Sequence, residues 1–234
     1  MAPGNTVESF QAALEHGVDM IEFDVLRARD GRLVLAHDYE DAERRDCLTL
    51  EEGLDHFAGE AYAGVELDVD MKLPGYEREV VTGLVERDLA GRSLVSTMYT
   101  ASLDHLGELL PGLRRGWSVP RVKRDYTRSA LAVPAYGIAR WMRVRLPGQA
   151  AARIGAGGCE AIMAHRLLTS PRLVRAVHGV GGQVYVWTVD DPRALGALER
   201  MGVDGVITND PRVFDSGPTS PRQASRNPDR FGTP

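Results

Sequence analysis

Two stretches, Met20-Ile21-Glu22-Phe23-Asp24-Val25 and Gly64-Val65-Glu66-Leu67-Asp68-Val69-Asp70-Met71-Lys72, decide how this sequence folds. In both, apolar and acidic residues alternate strictly, which is the period of a β-strand whose successive side chains face opposite ways. Ile21, Phe23 and Val25 fall on one face of the first stretch, and Glu22 and Asp24 on the other. In the second, Val65, Leu67, Val69 and Met71 oppose Glu66, Asp68, Asp70 and Lys72. Between them Asp30-Gly31 reads as a tight turn, followed by a short extension, Leu33-Val34-Leu35-Ala36, that ends on His37-Asp38.

Upstream, Val7, Phe10 and Leu14 share one helical face that ends at Gly17, and Asn5 with Glu8 three residues later has the spacing of a capping box. Downstream, Leu48 to Phe57 reads as a helix. Further strands are expected near residues 93–97, 113–118, 159–164, 183–188 and 204–207. Amphipathic stretches near 77–89, 101–110, 127–155, 170–179 and 192–201 separate them. Strand and helix in alternation mean parallel β/α units. Seven strands are counted and the first element is a helix, although in a barrel each helix follows the strand it covers. The predicted fold is therefore α/β, a (β/α)8 TIM barrel lacking its first strand, over residues 1–216. Residues 217–234, rich in Pro and Ser and almost without apolar side chains, are expected to be a disordered tail. The alternative is an open doubly wound sheet, but no Gly-rich dinucleotide fingerprint follows the first strand.

The 234 residues, 43% hydrophobic and 26% charged, suit one globular domain. A net charge of −5 offers no footprint for a nucleic-acid backbone. The longest apolar runs fall far short of the ~20 residues a membrane-spanning helix needs. Cys47 and Cys159 stand far apart without a CxxC or a Cys/His cluster, and the N-terminus carries no signal-peptide pattern, so a cytoplasmic location is expected.

In a parallel barrel the active site lies at the C-terminal ends of the strands. Glu22 and Asp24 fall there, and two carboxylates at that spacing repel unless a cation lies between them; an all-oxygen set suits Mg²⁺ or Ca²⁺. A solvated sheet face is the bland alternative, weakened because the second strand also ends on acids and closes with Lys72. His37, alone an ordinary loop residue, follows the acidic strand closely enough to act there as general acid or base. His16, His56, His105, His165 and His178 are read on helices or at helix ends, without function. Trp187, at the end of Val184–Val189, either packs against a ligand or fills the barrel.

Taken together, these residues resemble the glycerophosphodiester phosphodiesterase family over residues 3 to about 214. The segments that carry the resemblance are Pro3-Gly4-Asn5-Thr6, Ile21-Glu22-Phe23-Asp24-Val25, Asp30-Gly31 with His37-Asp38, Asp70-Met71-Lys72, Trp187-Thr188-Val189 and Asp204-Gly205-Val206-Ile207-Thr208. The resemblance implies metal-dependent hydrolysis of glycerophosphodiesters to sn-glycerol 3-phosphate and an alcohol, in lipid metabolism. It implies one divalent metal, Mg²⁺ or Ca²⁺, on Glu22, Asp24 and Asp70, with Asp70 standing where the family usually has Glu and with Glu66 and Asp68 as fallback ligands. It also implies His37 as the catalytic imidazole, and Lys72 and Trp187 as substrate-binding residues.

The family pattern has a first strand ending in His-Arg-Gly, and here Met1 directly precedes Pro3-Gly4-Asn5-Thr6, with Gly4 where Glu is common. The expectation is a functional start further upstream and, for the chain as written, the loss of one of two imidazoles. Two other readings stay open. One is a non-catalytic protein that keeps a phosphate or metal pocket. The other is phospholipase-D-like cleavage of lysophospholipids. Head-group selection would fall to loops 39–47 and 119–127, and Arg121-Val122-Lys123-Arg124 reads as a solvated loop.

Overall fold

A computed structural model describes residues 3–120 and 132–215, with the backbone alone for 132–139. The predicted tail at 217–234, most of loop 119–127 and Arg121–Arg124 lie outside the described residues. The described residues form eight α-helices and eight strands, which alternate from β3 onward: α1 (Val7–Glu15), β1 (Met20–Arg27), β2 (Leu33–Val34), α2 (Tyr39–Arg44), α3 (Leu50–Phe57), β3 (Glu66–Met71), α4 (Glu77–Glu86), β4 (Ser93–Thr97), α5 (Thr100–Leu109), β5 (Arg114–Val119), α6 (Ala132–Gly155), β6 (Ala161–His165), α7 (Pro171–His178), β7 (Gln183–Trp187), α8 (Pro192–Met201) and β8 (Gly205–Val206).

The sheet order is β2-β1-β3-β4-β5-β6-β7-β8. Seven strands run parallel, and two-residue β2 pairs antiparallel with the end of β1 at Leu26 and Arg27. This is the predicted barrel of seven β/α strands, with β2 as the short extension after Asp30-Gly31. Among the described residues β8 does not pair back to β1, so the sheet curls without closing. His16 Nδ1 at the end of α1 and an Asp215 carboxylate oxygen after β8 lie 2.9 Å apart and link the two sides of the opening.

The strand period sorts the core into two layers. Ile21, Phe23, Val25, Leu67, Val69 and Met71 point outward and pack under the helices. Phe23 is sealed there between Phe57, with ring centroids 5.0 Å apart, and Phe10, at 6.3 Å. A smaller inner cluster of Leu94, Ala161, Met163 and Tyr185, joined by Met20, Trp187 and Ile207, fills the barrel. Gly116 keeps the inner layer open, since a Cβ there would come within 3.0 Å of the Leu94 and Met163 side chains.

Three local expectations are corrected. The N-cap of α1 is Thr6 rather than Asn5, and Thr6 forms its capping box with Ser9 rather than Glu8. The helix expected from Leu48 starts at Leu50, capped by Thr49 and Glu52. His165 ends strand β6 rather than sitting at a helix end. Among the described residues no helix is long and apolar enough to cross a membrane.

Candidate active site

The parallel register of β1 and β3 sets Glu22 beside Asp68 and Asp24 beside Asp70, all on the inner face. Glu22, Asp24 and Asp70 each bring a carboxylate oxygen within 4.8 Å of the others, the one such group of three among the described residues. Asp70 thus reaches the cluster although it is one methylene shorter than Glu, because its strand pairs directly with β1. Lys72, just beyond β3, is anchored by its N–H to the Val25 carbonyl at 3.1 Å. Its ammonium donates to carboxylate oxygens of both Asp24 and Asp70.

Burial and mutual charge together shift the proton affinities of these groups. Burial, then the charge of Asp24, pushes Glu22 well above the ordinary carboxylate range. Burial also raises Asp70, partly offset by Lys72. Burial would raise Asp24 as well, but the charge of Lys72 and hydrogen bonds from Lys72 and Asn5 bring it below its usual value. Burial opposes the Lys72 ammonium, yet Asp70, Asp24 and Glu22 together hold it well above the normal lysine range. With all four groups ionised, three carboxylates against one ammonium leave two negative charges, which a divalent cation would neutralise. An all-oxygen donor set of this kind fits Mg²⁺ or Ca²⁺.

Below this cluster Asp68 is buried and its Oδ1 has no hydrogen-bond partner. Burial, then the charge of Asp70, pushes its carboxyl up to about 8. An unfolded Asp releases its proton near 3.8, so between the two values the folded chain binds the extra proton. Stability from this group is therefore full at acid pH and is lost as pH rises toward 8, by at most about 1.4 kcal/mol per pH unit. In chelator, the melting temperature of Asp68→Asn minus that of wild type should grow from pH 5 to pH 8; a pH-independent gap would contradict this assignment. Glu66, the other fallback ligand, is instead paired with Arg114 across the barrel floor at 2.8 Å.

His37 follows β2 through buried Leu35 and Ala36, and its side chain is 71% exposed at the rim. Its Nδ1 lies 3.3 Å from Asp38, and its N–H donates to Asp41 at 3.3 Å. Its segment is tied to the acidic cluster by hydrogen bonds, from the His37 N–H to Asp41, from Arg45 to Asp41 and to the Asn5 carbonyl, and from Asn5 to Asp24. Trp187 ends β7 half-buried; its indole N–H donates to the Met163 carbonyl at 2.9 Å, and its ring meets His165 edge-on at 5.0 Å. The structure therefore brings together Glu22, Asp24, Asp70 and Lys72, and sets His37 on an exposed position of the segment that Arg45 ties to Asn5. It sets Trp187 on the β6–β7 wall, where it packs on the inner core.

Two residues at the cluster escape a sequence reading. Asn5 lies against Asp24, and Arg45, which follows α2, reaches Asn5 from the segment carrying His37. The signal that exists is Asn5 within Pro3-Gly4-Asn5-Thr6, but nothing local tells which strand it meets.

The glycerophosphoryl diester phosphodiesterase family model matches residues 1–45 and 39–213. The chain belongs to this family. Family members are phosphoric diester hydrolases that act on glycerophosphodiesters. A glycerophosphodiester phosphodiesterase from Caldanaerobacter subterraneus is 25% identical, with 91% of this chain and 90% of that protein covered. The fold matches a glycerophosphodiester phosphodiesterase from Parabacteroides distasonis with a TM-score of 0.68 at 20% identity, covering 91% of this chain and 88% of that one. It also matches a phosphodiesterase from Oleispira antarctica, solved with the product sn-glycerol-3-phosphate, with a TM-score of 0.65 at 21% identity over 92% of this chain and 91% of that one.

Proposed function

We propose that residues 1–216 form a barrel unit that hydrolyses glycerophosphodiesters to sn-glycerol 3-phosphate and an alcohol, within lipid metabolism, at a single Mg²⁺ or Ca²⁺ held by Glu22, Asp24 and Asp70. The observation that carries this reading is the convergence of three carboxylate oxygens, each within 4.8 Å of the others, on the inner face of β1 and β3, with the Lys72 ammonium on two of them. The relative solved with sn-glycerol-3-phosphate supports the product class. A bound divalent ion supplies neutralisation of phosphoryl charge. Lys72, a compact ammonium, holds a phosphoryl oxygen as a point charge. His37 takes the proton from the hydroxyl that attacks phosphorus, or returns one to the leaving alkoxide. Trp187 offers an apolar ring edge to the glycerol portion. The free thiols of Cys47 and Cys159 suit a reducing compartment, the cytoplasm.

Displacement at phosphorus uses a proton acceptor on one side and a proton donor on the other, and His37 supplies one of them. The test compares this chain with a version extended at its N-terminus by a β-strand ending in His-Arg-Gly. Both receive glycerophosphocholine or lysophosphatidylcholine, with Mg²⁺ or Ca²⁺ and with chelator. Metal-dependent release of sn-glycerol 3-phosphate from glycerophosphocholine is expected in at least one version. Choline release from lysophosphatidylcholine alone would favour phospholipase-D-like cleavage. Metal binding without turnover in either version would favour a non-catalytic binding protein.

A further inference from the structure

Asn5 holds Asp24 at two points. Its Oδ1 accepts the Asp24 backbone N–H at 2.8 Å, and its Nδ2 donates to Asp24 Oδ2 at 2.7 Å. The Asp24 N–H points away from β3, to an edge of β1 where Met20–Val25 pair with no other strand among the described residues. A buried N–H is rarely left without a partner, and here one side-chain amide does the work of a neighbouring strand while gripping the carboxylate itself. Asn5 is 8% exposed and takes a left-handed backbone conformation, φ 62°, which Asn tolerates better than most residues. This geometry releases it from the capping role, which Thr6 fills, and turns its amide toward β1.

Arg45 locks the arrangement from the other side. Its guanidinium donates to the Asn5 carbonyl at 3.4 Å, to the Leu35 carbonyl at 3.1 Å and to both carboxylate oxygens of Asp41 at 2.8 Å. Asp41 also accepts the His37 N–H. The planar fork of an arginine is what can serve three such partners at once. One continuous set of hydrogen bonds therefore runs from the backbone of His37 through Asp41, Arg45 and Asn5 to Asp24.

We infer that Asn5 is a positioning residue that sets the Asp24 carboxylate for divalent cation binding, with Arg45 fixing Asn5 relative to the segment that carries His37. The inference rests on the proposed cation site. Partners that orient a metal ligand typically contribute 10–100-fold in affinity. The test titrates Mn²⁺, followed by electron paramagnetic resonance, into wild type, Asn5→Gly and Asn5→Ala, with melting temperatures taken in chelator. Glycine keeps the left-handed backbone free and removes only the amide, whereas alanine adds backbone strain. Both variants should bind Mn²⁺ about 10–100-fold more weakly, with Asn5→Ala melting below Asn5→Gly. Should Asn5→Gly not fold, the wild-type protein gives the reading: the Asn5 side-chain amide resonances should shift on Mg²⁺ saturation, and the Asp24 amide should exchange slowly despite its edge position. Wild-type binding matched by Asn5→Gly, or no response of the Asn5 amide, overturns the inference and leaves the cation site standing. No cation binding by wild type overturns the site itself.

Discussion

Asp24→Asn should abolish measurable divalent binding, weakening it beyond the 10–100-fold that loss of an orienting partner costs, because it removes a ligand outright. The substitution preserves shape and volume, and Lys72 retains Asp70 as a partner, so the fold persists. Two effects act together. The cluster loses one of three formal negative charges, and the oxygen opposite Asp70 across the β1–β3 register becomes neutral or is replaced by an amide N–H. Wild-type Asp24 is the carboxylate of the three held below its usual range, against burial, by Lys72 and Asn5. It is thus the group kept ionised while its neighbours Glu22 and Asp70 are pushed up. Calorimetric titration of Mg²⁺ and Ca²⁺ checks this, alongside circular dichroism. Unchanged affinity in a folded Asp24→Asn protein would remove Asp24 from the site.

His37→Ala should lower turnover of glycerophosphocholine by about 10²–10⁴-fold, the usual contribution of one acid/base group. Cation affinity should stay at the wild-type level, because the imidazole is outside the group of three and is largely solvent-exposed. Its position is set by the backbone, through buried Leu35 and Ala36 behind it and Asp41 on its N–H, so truncating the ring leaves the loop in place. The measurement is kcat at saturating metal, on whichever version of the chain turns over. A loss of cation affinity with kcat preserved would make His37 a ligand rather than a proton carrier.

How much of this was legible in the sequence follows from which residues obey a period. The alternation in Met20–Val25 and Val65–Met71 is a direct projection of the pleat, so the strands, their inner acidic face and the outward Phe23 and Val69 follow from it. Register made the site more definite than alternation alone. Only the pairing of Asp24 with Asp70 shows why a short Asp suffices. Helix α2 shows no apolar period, because Tyr39–Arg44 buries no residue and depends on the Asp38 cap and on Glu40–Arg44 and Asp41–Arg45 pairs. Asn5 reads as the N-cap because Asn is a good one. Thr6 is one as well, and the contact with Asp24, nineteen residues away, decides which of them caps. The role of Glu66 is set by Arg114, forty-eight residues on, which no local pattern relates to it.

In the proposed site Glu22, Asp24 and Asp70 hold one divalent ion at the rim of the barrel. Crystals soaked in Mn²⁺ and measured at its absorption edge test it most directly, since manganese shares the preference for oxygen ligands and gives an anomalous signal. A single anomalous peak is expected about 2.0–2.3 Å from oxygens of all three carboxylates, with the Lys72 ammonium drawn off at least one of Asp24 and Asp70. A map with no peak there, and Lys72 still bridging both aspartates at saturating manganese, would contradict it.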